Sequence, residues 1–489
     1  MLLTRMLAGA ILIHEALYIF RDGLGYLTNC FLPTFGLRLG PRAHAWVHGG
    51  LMATCGALLF MPQAGWLQLT CLGFLSLVIA SYSLRLSNHL ILAWFMMLTL
   101  CLARGVEQME TFVSLGVQGL IVLTYFFAFL HKLNADYFSP ERSCASQLVD
   151  FLCWDRGVHS PGLIRFLRGV GIYGTVLVEG ALPLLLLFPP TRPLALGVGV
   201  LFHFSMALLG IVNFSSMMYA GLMAFVPEQA LLDATAQVRA LPPLVIGASC
   251  GFSLLVVWVL TPRHANRHCP YVMRAPAWLI QLGFGAGTAL LLLGIGMLSW
   301  RSLEVPGWAL LGSLEQGTLL TLWAAFLVNG LGPYLGFKTE FSFAMFSNLR
   351  CEPWRHLFIP GNWRLFQGPD YVRIAHIEGL PPVSTLQGDP GALLAHRVLS
   401  QPEAYRYTRY FLRESLSRLS RAMSPGHPLR VRYVDREGSH EVDGDTSGKL
   451  PGSRGGLPVN FFPFILPDDP EAPHSEQGTV LNGKERQLF

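Results

Sequence analysis

The chain has 489 residues, 52% of them hydrophobic and only 13% charged, with a mean hydropathy of +0.44. A water-soluble chain carries about a quarter charged residues, so a pair of ordinary soluble domains, a disordered chain and a disulfide-stapled secreted scaffold are excluded. The net charge of +5 is spread over short loops without a run of Lys or Arg, which leaves nucleic acid without an electrostatic footprint.

This composition predicts an all-α polytopic membrane helix bundle with a small C-terminal α+β soluble domain. A helix needs about 20 mostly apolar residues to cross a bilayer. Segments of that character lie at 3–20, 45–62, 65–84, 88–104, 112–131, 171–188, 194–212, 214–227, 241–260, 277–300 and 315–333. Several are short or carry Gly and Pro, so about 8–11 of them are expected to cross. Arg5 precedes the first segment as in a signal peptide, but His14 and Glu15 interrupt the apolar run and no A-x-A site follows, so a retained helix is expected. Arg and Lys gather in 21–44, 132–170 and 261–275, a bias toward the cytoplasmic side that leaves sidedness open.

Beyond the last apolar segment charge becomes frequent. Apolar residues recur at helical spacing through 401–423 (Ala404, Tyr407, Phe411, Leu416, Leu419, Met423), predicting a helix. Leu429, Val431 and Tyr433 then alternate with arginines and lead through DREGS to His440–Val442, predicting a strand and hairpin. The expected organisation is a membrane domain over 1–335, a small α+β domain over 336–445 and a loosely ordered Gly- and Pro-rich tail over 446–489.

An ionisable side chain at the centre of a membrane helix costs roughly 2.5–3.5 kcal/mol on insertion scales, so the few in apolar segments are informative. They are His14, Glu15, His48, Asn88, His89, His131, Lys132, Glu179, His203 and Asn213. Lys132 follows FFAFLH and precedes LNADYF. Its ammonium either snorkels to the interface or, in a dry site, loses its proton and becomes a general base. His203 sits in an uninterrupted apolar run, suited either to catalysis or to an interhelical hydrogen bond with a residue such as Glu179. His14 and Glu15 can pair structurally in the same way. The nine cysteines form no CxxC pair and read as small core residues. His264, His268 and Cys269 have zinc-like spacing but no evident fourth ligand, so no metal is expected. The sequon at Asn213 lies within apolar sequence, and GFGAGTALLLLG reads as a helix-packing surface, not a dinucleotide loop.

Four patterns, SNHLILAWF (87–95), FAFLHKLNADYF (127–138), LVEGALPLLLLFPPTR (177–192) and LFHFSMALLGIVNFSSMMYA (201–220), resemble the vitamin K-dependent gamma-glutamyl carboxylases and the wider horizontally transferred transmembrane domain group. YLGFKTEFSFAMFSNLR (334–350) resembles the junction where those proteins leave the membrane, and the likeness covers roughly residues 1–440. The region that holds a substrate propeptide in the animal enzymes is not recognisable, and the aqueous portion is smaller.

The resemblance implies that Lys132 is the base acting on vitamin K hydroquinone or menaquinol, with O2 and CO2 as co-substrates. It places the glutamate-side histidine of the family at His89 and the late-helix Phe-His pair at Phe202 and His203. Asn88, Glu179, Asn213, Asn134 and Asp136 are the expected quinol- or substrate-binding residues. The implied activity couples hydroquinone epoxidation to carboxylation of a glutamate-containing peptide or protein. A water-poor site in membrane lipid suits it, because solvent would quench the strong base that a glutamate γ-carbon demands. The alternative is a membrane protein that aids peptide maturation or export, its polar residues lining a passage.

Overall fold

The computed structural model describes residues 2–22, 27, 37, 39–81, 87–262, 275–298, 307–335, 342–344, 347–349, 355–361, 371–386, 390–400, 405–421, 423, 429–435, 438–443 and 465–467. Each of the eleven apolar segments contains helix. In chain order these are α1 (Leu2–Asp22), α2 (Pro41–Phe60), α3 (Gly65–Ser81), α4 (Asn88–Leu102), α5 (Met109–Lys132), α6 (Ala135–Phe138), α7 (Cys144–Asp155), α8 (Pro161–Leu187), α9 (Arg192–Leu208), α10 (Val212–Leu222), α11 (Glu228–Ala240), α12 (Pro243–Leu260), α13 (Ala275–Met297), α14 (Ser313–Gly330) and α15 (Gly332–Leu335).

Six stretches, Leu2–Phe20, Met109–Lys132, Pro161–Leu187, Pro189–Leu208, Pro243–Leu260 and Trp278–Met297, are long and apolar enough to cross a membrane. Others fall short: α4 and α10 are pressed between neighbours, and α10 passes into a 3-10 turn at Met223–Phe225. On α12 the apolar side chains Leu244, Phe252 and Trp258 face outward. An apolar surface of that kind is suited to lipid and not to water.

Helices α2 to α5 alternate in direction, so the C-terminal ends of α1, α3 and α5 meet the N-terminal ends of α2 and α4. Most buried titratable residues of the helical body lie toward this end, with Arg192 at the far end of α9. The same end is capped by chain from beyond α15. Leu357 N donates to Leu133 O at 2.9 Å, Ala135 N to Arg355 O at 3.0 Å, and Cys144 N to Asn348 Oδ1 at 2.9 Å. Phe343 packs into the main helical core. The expected domain division at 335 therefore separates sequence compositions, while residues 342–361 that are described belong with the helices.

The remaining part forms a five-stranded antiparallel sheet in the order β4-β3-β1-β2-β5, with β1 (Tyr371–Glu378), β2 (Tyr405–Thr408), β3 (Arg430–Asp435), β4 (Gly438–Asp443) and β5 (Ile465–Pro467). Two helices, α16 (Pro390–Leu399) and α17 (Arg409–Arg421), join it in a separate hydrophobic core containing Val372, Leu412, Leu416, Val431 and Tyr433. The hairpin expected over 429–442 is present as β3 and β4. The expected helix over 401–423 is shorter: it starts at Arg409, and Tyr405–Thr408 instead pair with both β1 and β5. Ladder bonds on two sides outweigh the helical pattern of so short a run. The three residues of β5 fall in the expected loose tail; the rest of 446–489, and the His264–His268–Cys269 group, lie outside the described residues.

Candidate active site

α5 is a 24-residue apolar helix that ends on a histidine and a lysine, His131 and Lys132. Leu133 interrupts the helical conformation, and Asn134 then caps the single turn of α6 by accepting the Tyr137 N–H at 2.9 Å. This double turn holds Lys132 at the rim of the bundle, yet its side chain is only 3% exposed. The capping chain and α8 cover it, so it does not snorkel.

Lys132 Nζ lies 2.7 Å from Glu179 Oε2, and the carboxylate is buried too. The contact is a charge pair without an aligned hydrogen bond. Lys132 also approaches the carbonyl of Ala128 at 3.4 Å and the Tyr137 ring at 5.8 Å from its centroid. The partner of the amine is thus a carboxylate.

Both members line a recess of about 60 Å3. His203 lines it as well. The Tyr125 hydroxyl and His203 Nε2 are 2.8 Å apart, so His203 bonds to Tyr125 and not to Glu179. With the phenol donating, the imidazole hydrogen sits on Nδ1, an assignment by hydrogen-bond logic. That nitrogen is buried and has no partner among the described residues. An unsatisfied buried donor costs about 1–3 kcal/mol, which a bound polar group would relieve.

His89 does not line the recess. Phe214 stands between the two histidines, its ring centroid 6.5 Å from that of His89 and 5.5 Å from that of His203. His89 Nε2 instead meets His14 Nδ1 at 2.6 Å and the Ser87 hydroxyl at 3.0 Å. Asn88 Oδ1 accepts the backbone N–H of Phe343 at 2.7 Å. Phe343 lines the recess and has a positive φ of 65°, uncommon for a non-glycine residue, so Asn88 shapes the wall from behind.

Asn134 and Asp136 face away from the recess and toward the capping chain. Asn134 Nδ2 donates to the carbonyls of His131 at 2.8 Å and Ser347 at 2.6 Å. Asp136 Oδ1 accepts from both Arg142 and Arg355 at 3.1 Å. Asn213, near the start of α10, accepts its neighbour's N–H at 2.9 Å and does not line the recess. Tyr137 and Phe343 are among the lining residues that sequence reasoning missed. Tyr137 lay within the quoted LNADYF pattern, whereas nothing local marks Phe343, which arrives from more than 200 positions along the chain.

No metal-holding group of His, Cys, Asp or Glu occurs among the described residues. Comparison with family models, curated proteins and solved structures gives no match to this chain.

Proposed function

We propose that the chain is an integral membrane enzyme that acts on a lipid-soluble quinol at the Lys132–Glu179 pair. The observation that carries this is a lysine and a carboxylate in direct contact at 2.7 Å, out of water, in the same recess as an imidazole with an unsatisfied nitrogen. At this distance a proton passed from Lys132 to Glu179 would leave amine and carboxyl both uncharged. The site then stays neutral overall, which avoids the large penalty for a lone buried charge.

The residues present fit a hydroquinone chemically: a base in Lys132, a proton partner in Glu179, a hydrogen-bond donor in His203 and aromatic walls in Phe202, Phe214 and Phe343. The free space admits only a few water-sized molecules, so a bicyclic ring enters when one of these phenyl side chains swings aside. When bound, a vitamin K-type hydroquinone supplies, with O2, the strong base for a glutamate γ-carbon, which CO2 then carboxylates. Lys132 would accept the hydroxyl proton and Glu179 would hold the amine in place. Tyr125 would orient His203. Packing by the capping chain would exclude water.

A passage for peptides needs polar groups along the whole bundle. Most of the buried histidines and carboxylates instead gather toward one end, which favours an enclosed site over a conduit. The test is incubation of the purified protein with vitamin K hydroquinone, O2 and bicarbonate. Quinone epoxide is expected, with loss of at least about a hundredfold in rate in Lys132→Ala and also in Lys132→Arg, since guanidinium does not give up its proton. Folded protein that yields no epoxide refutes the reading.

A further inference from the structure

A second group of ionisable side chains lies outside the recess. His14 and Glu15 on α1, His44 and His48 on α2 and His89 on α4 are all at most 2% exposed. They form two hydrogen-bonded pairs, His48 with Glu15 and His14 with His89, and His44 is in ring contact with the first. His44 Nδ1 is 2.8 Å from the carbonyl of Leu27, and its ring lies 4.6 Å from that of His48. His48 Nδ1 is 2.8 Å from Glu15 Oε2. His14, adjacent to Glu15 in the chain, meets His89 at 2.6 Å. Titratable groups beside them among the described residues include Tyr18, whose ring is 4.6 Å from that of His14, and the thiol of Cys55, close enough to Glu15 to feel its charge.

Packing alone does not call for five such residues, because apolar side chains would join α1, α2 and α4 without burying carboxylate and imidazole. The group also does not cross the bundle: beyond it, α2 and α4 bury Leu51, Leu58, Met96 and Leu100. It therefore cannot conduct from one side of a membrane to the other. It runs from the end of the bundle at Leu27 to His89, and the Phe214 ring lies against both His89 and His203. Within each hydrogen-bonded pair an imidazole or carboxylate accepts a proton at one atom and releases one at another, with nothing oxidised or reduced, and the steps between pairs are made by side-chain reorientation.

We propose that His44, His48, Glu15, His14 and His89 form a proton relay between the recess and the aqueous side on which α1 ends, a reading that rests on the quinol chemistry proposed above. The relay carries away the proton that Lys132 takes up. Phe214, in ring contact with both His89 and His203, is its gate.

The experiment compares full-length wild type with Glu15→Gln, which keeps shape and hydrogen bonding but cannot carry the proton. With vitamin K hydroquinone and O2, kcat is expected to fall about tenfold or more while KM for the hydroquinone is unchanged, and millimolar imidazole or formate should restore it. Unchanged kcat, or a loss that neither small base restores in protein of wild-type melting temperature, overturns the relay. If Glu15→Gln does not fold, His48→Gln is judged by the same criteria. Failure of wild type to form epoxide sinks the quinol reading instead. The relay is then decided by infrared difference spectra after a pH step. A carboxyl band present in wild type and missing in Glu15→Gln supports proton exchange at the cluster, and its absence from wild type overturns it.

Discussion

Replacing the members of the buried pair singly and together tests whether Lys132 and Glu179 act as one unit. Two unit charges 2.7 Å apart attract by about 6 kcal/mol at an effective dielectric of about 20. Removing both ions from water costs several kcal/mol each, so the pair as a whole contributes close to nothing. Losing one partner is different. Lys132→Met strands the carboxylate and Glu179→Leu strands the amine, each in a recess walled by phenyl and aliphatic side chains. Each single variant is expected to lose about 3–5 kcal/mol of stability, while the double variant stays within about 1 kcal/mol of wild type. Equilibrium unfolding in mixed micelles near neutral pH measures all four proteins. Single losses below about 1 kcal/mol, or a double variant equal to the sum of the singles, would refute the pairing. The double variant should also make no epoxide, which separates folding from chemistry.

Three further outcomes follow from the packing. Asn134→Ala removes hydrogen bonds of 2.6, 2.8 and 2.9 Å that join α5, α6 and the capping chain, and should cost about 2–4 kcal/mol by the same unfolding assay. Gly330→Ala would put a Cβ 2.1 Å from the Phe127 ring and should cost about 1–3 kcal/mol, whereas Gly56→Ala meets nothing within 4 Å and should be neutral or stabilising. His356 in the capping chain accepts the N–H groups of Phe358 and Ile359 on Nδ1, at 3.2 and 3.1 Å, and burial lowers its affinity for a proton below the usual value of 6.5. The undocked chain then takes up the proton first, so docking is at full strength above pH 6.5 and weakens as pH falls below it. Proteolysis at the exposed Leu357 and Phe358 should accelerate in that window in wild type, and His356→Leu should lose the pH dependence.

The helical body was legible in the sequence because apolar runs of membrane length and low charge specify it without reference to partners. The rarity of polar groups in those runs likewise marked Lys132, Glu179 and His203, which the fold brings to one recess. Composition could not say which polar groups touch. Lys132 and Glu179 lie 47 positions apart (179 − 132), and only the packing of α5 against α8 brings them into contact. Asn134 and Asp136 looked like site residues from their neighbours, yet their lone pairs and donors are taken by Ser347, Arg142 and Arg355. His89 pairs with His14 for the same reason: an imidazole takes whichever partner the adjoining helices present.

Hydrophobicity is a property each segment carries by itself, and it alone determined that the chain is a bundle of apolar helices followed by a charged α+β portion. A hydrogen bond or charge pair belongs to two residues at once. Their distances were therefore decided by tertiary structure, which wrapped residues from beyond α15 over the end of the bundle and closed the recess around the Lys132 amine.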